Sequence, residues 1–308
     1  MLKLRSIAEL SQVPGPVALA IGVFDGVHLG HQEVIRAAQE HAAQHHGHAV
    51  VMSFDPHPLT VLRPGAAPKR LCGARLHSRL IEDLGVSGTL LCPFTREMAE
   101  TPPEEFVAVL AAACRPLGCI SVGYTWTFGK DRGGDIHALM DLGQRHDFAV
   151  YGVPPIRAGG EIVSSTLIRD AVTAGDLARA GAMLGRRYSL FGRVMEGRRL
   201  ARQLGFPTAN VLPEAEVLPP FGVYAIQAEV DGAWRPGIAN LGVRPTVETA
   251  AAPSLEVHLF DWTGDLYGHD LEVRLGTFLR PEQKFDGVQQ LQAQIQQDVL
   301  KARSLVAA

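Results

Sequence analysis

Two textures meet near residue 186 of this 308-residue chain, and no single sheet architecture accommodates both. Before that point, short apolar runs alternate with helical patterns. Strands are expected over 17–24, 49–54, 88–92, 119–122 and 149–153, and helices over 32–44, 76–84, 103–114 and 167–184. A strand that pairs with a parallel neighbour needs a crossover, which a helix supplies. The first part therefore reads as a parallel α/β sheet. Beyond it, strands are expected over 189–195, 222–229, 236–241, 254–260 and 270–278, with turn signals such as Asp231-Gly232 and Tyr267-Gly268 between them. Closely spaced strands with turn chemistry indicate an antiparallel barrel or sandwich. Residues 287–306 read as a closing helix. Two domains result, 1–185 and 186–308.

Composition narrows the partners. An apolar fraction of 46% is enough for two cores, and a net charge of −3 provides no field for a polyanion. Nucleic acid is not an expected partner, and any phosphate chemistry must sit in a local site. There is no apolar run of about 18 residues, so no membrane span is expected. The first residues, MLKLRSIAELSQVPG, lack the pattern of a secretory signal, so a cytoplasmic protein is expected. Cys72, Cys92, Cys114 and Cys119 form no C-x-x-C pair and read as free thiols. His41, His45, His46 and His48 read as a solvated helix end, because no carboxylate or cysteine stands at ligand spacing. A homo-oligomer is compatible with this composition.

The densest chemistry lies at residues 22–31, Gly-x-Phe-Asp-Gly-x-His-x-Gly-His. An apolar strand stops at Asp25-Gly26, and a helix begins near Leu29. The positive end of that helix then points above the C-terminal edge of the sheet, where open α/β sheets bind ligands. His28 and His31 share one face of the first turn. Gly26 and Gly30 let a ligand approach the backbone. Two imidazoles beside helix amides suit the charge that builds on displacement at phosphorus. The plain alternative is a turn with two incidental surface histidines, and the pattern is too long for that.

Weaker signals stand elsewhere. Ser164-Ser165-Thr166 would by itself be an ordinary helix cap, with Arg169 free to fork onto phosphate oxygens. In Gly-Phe-Pro-Thr-Ala-Asn, residues 205–210, Thr208 and Asn210 offer neutral oxygens of the kind Mg²⁺ takes, although a plain turn would be the default reading. In 255–260, Leu255, Val257 and Leu259 share one face, and Glu256 lies on the other. Periodicity alone makes Glu256 a solvent-facing carboxylate. A strand carboxylate flanked by apolar residues can also act as a general base.

Taken together, these segments resemble the bacterial bifunctional riboflavin kinase/FMN adenylyltransferases, also called FAD synthetases. The likeness covers about residues 15–285. It includes Ser-Phe-Asp-Pro-His-Pro at 53–58, Ser-Ser-Thr-x-Ile-Arg at 164–169, Gly-Ile-Ala-Asn-Leu-Gly-Val-Arg-Pro-Thr at 237–246, Leu-Glu-x-His-x-x-Asp at 255–261 and Leu-Arg-Pro-Glu-Gln-Lys-Phe at 279–285. The resemblance implies a nucleotidyltransferase domain with a Rossmann-like parallel sheet, followed by a small antiparallel β-barrel kinase domain with a C-terminal helix. It implies that His28 and His31 serve adenylyl transfer to FMN, with ATP held by Gly22, Phe24, Asp25, Gly26, Gly30, Ser164, Ser165, Thr166 and Arg169. Thr125, Trp126 and Phe128 would line the flavin there. In the barrel it implies Glu256 as the base for the riboflavin hydroxyl and Arg202, Gly205 and Pro207 as nucleotide contacts. Thr208 and Asn210 would hold Mg²⁺, and Arg280 and Glu282 would lie beside the flavin. Riboflavin, FMN, FAD and ATP are the implied ligands.

Two departures from the family matter. The family's Gly-x-Asp/Asn-Phe-x-Phe-Gly is Gly123-Tyr-Thr-Trp-Thr-Phe-Gly129 here, so Thr125 and Trp126 replace an acidic or amide residue and a Phe. Trp can still stack on a flat ring. In the kinase loop, Glu196 replaces a His, and Ala201 replaces a Gly that would lie against phosphate. Two further readings stay open on the sequence. One is an adenylyltransferase whose barrel is impaired as a kinase. The other treats the barrel as a binding module for nucleic acid or protein, against which stand the net charge and an aromatic fraction of 6%.

Overall fold

The computed structural model describes residues 1–195, 206–244 and 252–306. By compactness the chain divides into one unit of Met1–Lys69 with His77–Ser165, and a second of Arg70–Leu76 with the chain from Thr166 onward.

The first unit is built on β1 (Leu2–Leu4), β2 (Val17–Ile21), β3 (His48–Asp55), β4 (Gly88–Pro93), β5 (Leu117–Gly123) and β6 (Ala149–Val153). They form a six-stranded sheet in the order β1-β4-β3-β2-β5-β6, and every pair is parallel. Strand β2 is buried along its whole length because helices cover both faces. Val17, Leu19 and Ile21 pack with α5 (Pro103–Ala113) and α6 (Ile136–His146). Ala18 and Ala20 pack with α1 (Leu29–Gln44). Small residues on the α1 side let that helix sit close to the sheet.

The chain runs outward from β2 through β3 and β4 on one side, and through β5 and β6 on the other. The order therefore reverses between β2 and β5. The crevice beyond the carboxyl ends of such strands is the binding position of open α/β sheets. Residues 22–31 follow β2, and Tyr124–Phe128 follow β5, so both of these motifs fall there by topology.

The second unit opens with α7 (Ser165–Ala174) and α8 (Leu177–Leu184). The single helix expected over 167–184 is thus two. Gly175 takes φ +82 and Asp176 caps α8 through the Arg179 N–H, which ends one helix and starts the next. Strands β9 (Ser189–Met195), β10 (Ala209–Pro213), β11 (Gly222–Val230), β12 (Ala233–Arg244), β13 (Ala252–Leu259) and β14 (Asp270–Pro281) close into a barrel in the order β10-β13-β12-β11-β14-β9. Closure removes the edge strands, and the barrel-or-sandwich choice resolves to the barrel. Leu255, Val257 and Leu259 are buried. Helix α9 (Val288–Val306) lies on the outside, where Ile295, Val299 and Ala302 pack on Val223, Ala225, Ile238 and Leu279. This cover explains why β11 is buried on both faces over residues 222–226.

Barrel closure depends on Gly192. A Cβ there would fall on the Leu212 carbonyl oxygen of the adjacent strand, and backbone cannot yield cheaply. Gly192→Ala is expected to destabilise the barrel by about 2–3 kcal/mol, read as an earlier thermal transition. An unchanged transition would show that β9 and β10 have freedom this packing does not suggest.

Candidate functional site

Strand β2 ends in a turn that L-residues seldom adopt. Phe24, Gly26 and Val27 have φ of +55, +79 and +43. Positive φ at a β-branched valine is strained, and strain of this kind persists only where the surroundings impose it. They do so from several directions. The Val27 N–H donates to Phe24 O at 2.9 Å. Gln32 Nε2 donates to Val27 O at 2.9 Å, Ser53 Oγ to Val23 O at 3.0 Å and Ser165 Oγ to Asp25 O at 3.1 Å. At Gly22 a Cβ would press on the Phe24 ring at 3.1 Å. Ser53 and Ser165, each from a different segment of the likeness, therefore hold the loop that aims the histidines.

His28 is the N-cap of α1. Its Nδ1 accepts the His31 N–H at 3.2 Å, which fixes the ring proton on Nε2 and leaves the imidazole neutral. The rings of His28 and His31 stack, with centroids 3.5 Å apart and planes 16° apart, and Phe24 meets His31 edge-on at 5.3 Å. Burial pushes the His31 pKa well below the usual imidazole value, and the neighbouring His28 and His77 add to this. Two stacked imidazoles do not both carry charge. A pair of this kind acts on a ligand through N–H donation rather than through standing positive charge. Gly30 allows the stack, because a Cβ there would touch the His28 ring at 3.2 Å.

The His31 shift has a sign that can be checked. A base whose folded pKa is depressed binds fewer protons in the native state than in the unfolded chain. Stability is then unaffected above about pH 6.5, and falls as pH drops through the unfolded value. We expect the thermal transition to fall between pH 7.5 and 5.5, and to fall less in His31→Gln. Parallel curves for the two proteins would contradict this.

Beyond β5, Thr125 is exposed. Trp126 is half-buried and stacks on Phe128 at 4.7 Å. Phe128 belongs to the core and also meets Phe106, while Trp126 and the exposed Tyr124 are the aromatic side chains this loop offers to the surface. Ser164 is half-buried. On α7, Thr166 is exposed and Arg169 half-buried. His41 differs from the expectation of a solvated helix end. It is buried, with Nδ1 3.1 Å from the Tyr151 hydroxyl. The four cysteines are free and buried.

In the barrel, register decides what lies beside Glu256. Asn210 of β10 and Asn240 of β12 stand directly opposite it on the two flanking strands. Opposed residues share a face, with Cβ atoms about 4.5–5.5 Å apart. One outer row therefore reads Asn210, Glu256, Asn240. Glu256 is exposed, Asn210 is buried, and the Asn240 amide donates to Glu282 Oε1 at 2.9 Å. His258 lies two residues along the same face. Its Nδ1 donates to the Pro207 carbonyl at 2.9 Å, which ties β13 to the segment carrying Thr208.

Two pockets meet at Thr208. One, of about 210 Å³, is lined by Thr208, Asn240, Glu256, Arg280 and Glu282, with apolar cover from Ile238 and Phe285. The other, of about 560 Å³, is lined by Pro207, Thr208 and the Trp262–Tyr267 turn. Among the described residues no cluster of three or more His, Cys, Asp or Glu could hold a metal ion. The neutral oxygen donors nearby are the Thr208 hydroxyl, shared by both pockets, and the Asn210 amide opposite Glu256, with the Glu256 and Glu282 carboxylates on the wall of the smaller pocket. This set fits Mg²⁺, which takes few protein ligands and completes its shell with water and phosphate. Arg202, Gly205, Glu196 and Ala201 lie outside the described residues.

Comparison with known proteins agrees with both halves. The FAD synthetase family matches residues 10–167, and the riboflavin kinase family matches residues 184–306. The bifunctional riboflavin kinase/FMN adenylyltransferase of Escherichia coli (strain K12) is 38% identical over 307 residues, covering 98% of this chain and 97% of that protein. The chain belongs to the bifunctional riboflavin kinase/FMN adenylyltransferase family. The Pseudomonas fluorescens member is 39% identical over 287 residues, covering 93% of this chain and 92% of that one. A solved structure described as a macrolide-efflux protein from Streptococcus pneumoniae superposes with a TM-score of 0.82 at 29% identity, covering 96% of each chain. Among the described residues here, no helix is long and apolar enough to cross a membrane.

Within this family frame, three neighbours escaped the sequence reading. His77 of α3 (Ala74–Glu82) acts on His31 electrostatically, Asn240 flanks Glu256, and Asp298 grips Arg280. None stands in a short motif. Asn240 alone was within reach, since it falls in the 237–246 segment.

Proposed function

We propose that this chain makes FAD from riboflavin in two ATP-dependent steps, with adenylyl transfer assigned to residues 1–185 and the kinase to 186–308. In the barrel, riboflavin occupies the pocket of Glu256 and ATP the pocket of the Trp262–Tyr267 turn. Glu256 accepts the proton of the flavin 5′-hydroxyl as that oxygen attacks the γ-phosphorus of ATP, and ADP leaves. Thr208 and Asn210 hold Mg²⁺, which when bound neutralises phosphate charge. The observation that carries this half is the meeting of two pockets at Thr208, with Glu256 on the wall of the smaller one.

In the first unit, the FMN phosphate attacks the α-phosphorus of ATP, and pyrophosphate leaves. His28 and His31 donate hydrogen bonds to the phosphates, and the strained turn at Phe24–Val27 brings backbone close to them. Trp126 offers the flavin the face that Phe128 does not cover. Catalysis here is positioning and charge stabilisation, with no covalent enzyme intermediate.

Relatives that carry both activities in their names match over nearly the whole chain, which supports the bifunctional reading over an adenylyltransferase with an impaired barrel. The test is incubation with riboflavin, ATP and Mg²⁺, followed by separation of FMN and FAD. FMN should appear first and FAD after it. FAD from supplied FMN, with no FMN from riboflavin, would remove the kinase half.

A further inference from the structure

Asp298 takes no part in the chemistry above, yet its carboxylate is buried on the wall of the Glu256 pocket. Its side chain is 5% exposed, and that of its partner Arg280 is 17% exposed. Arg280 Nε lies 3.1 and 3.0 Å from the two oxygens of Asp298, and Nη2 lies 2.9 Å from Oδ2. Gln294, one turn earlier on α9, donates to Oδ1 at 3.0 Å. Arg280 Nη1 donates to the Pro281 carbonyl at 3.0 Å.

A buried ion pair adds little net stability, because desolvation offsets the attraction. What this one fixes is the plane of a guanidinium. Arginine has five N–H donors. Those bonds use Nε–H, one hydrogen on Nη2 and one on Nη1, leaving one hydrogen on each terminal nitrogen for a ligand. Charge points to the kind of ligand. Arg280 and Asp298 cancel, while Glu256 and Glu282 remain on the wall. Such a pocket suits an uncharged, planar molecule with carbonyl acceptors, and it opposes a phosphate.

We infer that Asp298 is a positioning residue of the kinase site. It aims the two remaining N–H groups of Arg280 at the carbonyl edge of an uncharged flavin, and its charge biases the pocket against the phosphorylated product. The inference rests on the kinase reading above.

The test uses the full chain, wild type and two variants. Asp298→Asn loosens the guanidinium and leaves the Arg280 charge uncompensated. The expected result is a riboflavin KM raised about tenfold, roughly one charge-assisted hydrogen bond, with kcat near the wild-type value. FMN should inhibit riboflavin phosphorylation more strongly than in wild type. Arg280→Lys keeps the charge but loses the fork, so KM should rise similarly with FMN inhibition unchanged. An unchanged KM in Asp298→Asn overturns the inference. So does a lower kcat with unaltered KM and FMN inhibition, the pattern of a merely structural residue. If Asp298→Asn does not fold, an unchanged KM in Arg280→Lys overturns it. If the wild type makes no FMN, the kinase reading has failed, and riboflavin fluorescence titrations of all three proteins decide the positioning claim separately. Equal affinities then overturn it, and weaker binding by both variants sustains it.

Discussion

Glu256→Gln should abolish FMN formation while FAD formation from supplied FMN continues. Removing a general base from a reacting hydroxyl is expected to lower kcat by about 10²–10⁴. The amide keeps the size of the side chain and its place in the outer row between Asn210 and Asn240. Glu256 is exposed, so the change should leave stability within about 0.5 kcal/mol. Neither neighbour can replace it, since both are amides, and Asn240 is engaged by Glu282. The readout is chromatographic separation of FMN and FAD, starting once from riboflavin and once from FMN. Loss of FAD formation from supplied FMN to the same degree as loss of FMN formation from riboflavin would argue against two independent centres.

The parts of this architecture legible in the sequence are those written in local periodicity. The alternation of Val17, Leu19 and Ile21 with Ala18 and Ala20 reads as a two-sided buried strand, and the structure places helices on both faces. Five of the six barrel strands show the same way. Strand β10 did not, because it is only five residues long, ends on Pro213, and begins inside the 205–210 segment whose default reading is a turn. Helix α6 is an added element whose signals are local, an Asp135 cap with Ile136, Leu139 and Leu142 on one face. The catalytic candidates were legible as chemistry but not as geometry. Nothing in the sequence sets Asn240 and Asn210 on either side of Glu256, since that follows from strand register. Nor does spacing show that His41 turns inward to Tyr151 while other histidines of its segment do not, because burial depends on a strand more than 100 residues away.

His28 shows where the two kinds of information must be combined, and its substitution should be the most informative change in the first unit. From the sequence it is half of a histidine pair at a phosphate site. The structure adds that its Nδ1 caps α1 through the His31 N–H, so it also holds its own helix and its partner's backbone. His28→Ala therefore removes two things at once. The lost cap is expected to cost about 1 kcal/mol. The lost donor to the phosphates is expected to lower FAD formation by about 10²–10³. His28→Asn separates them, since asparagine is a good N-cap but brings no imidazole. It should melt close to wild type and still lose most adenylyl transfer. His31→Ala should match it in activity if, as proposed, the stacked pair donates to the same phosphates. FMN formation from riboflavin should persist in all three variants. If His28→Asn restores FAD formation to the wild-type rate, His28 serves only to start the helix, and the phosphate chemistry must rest on His31 and the backbone of the turn.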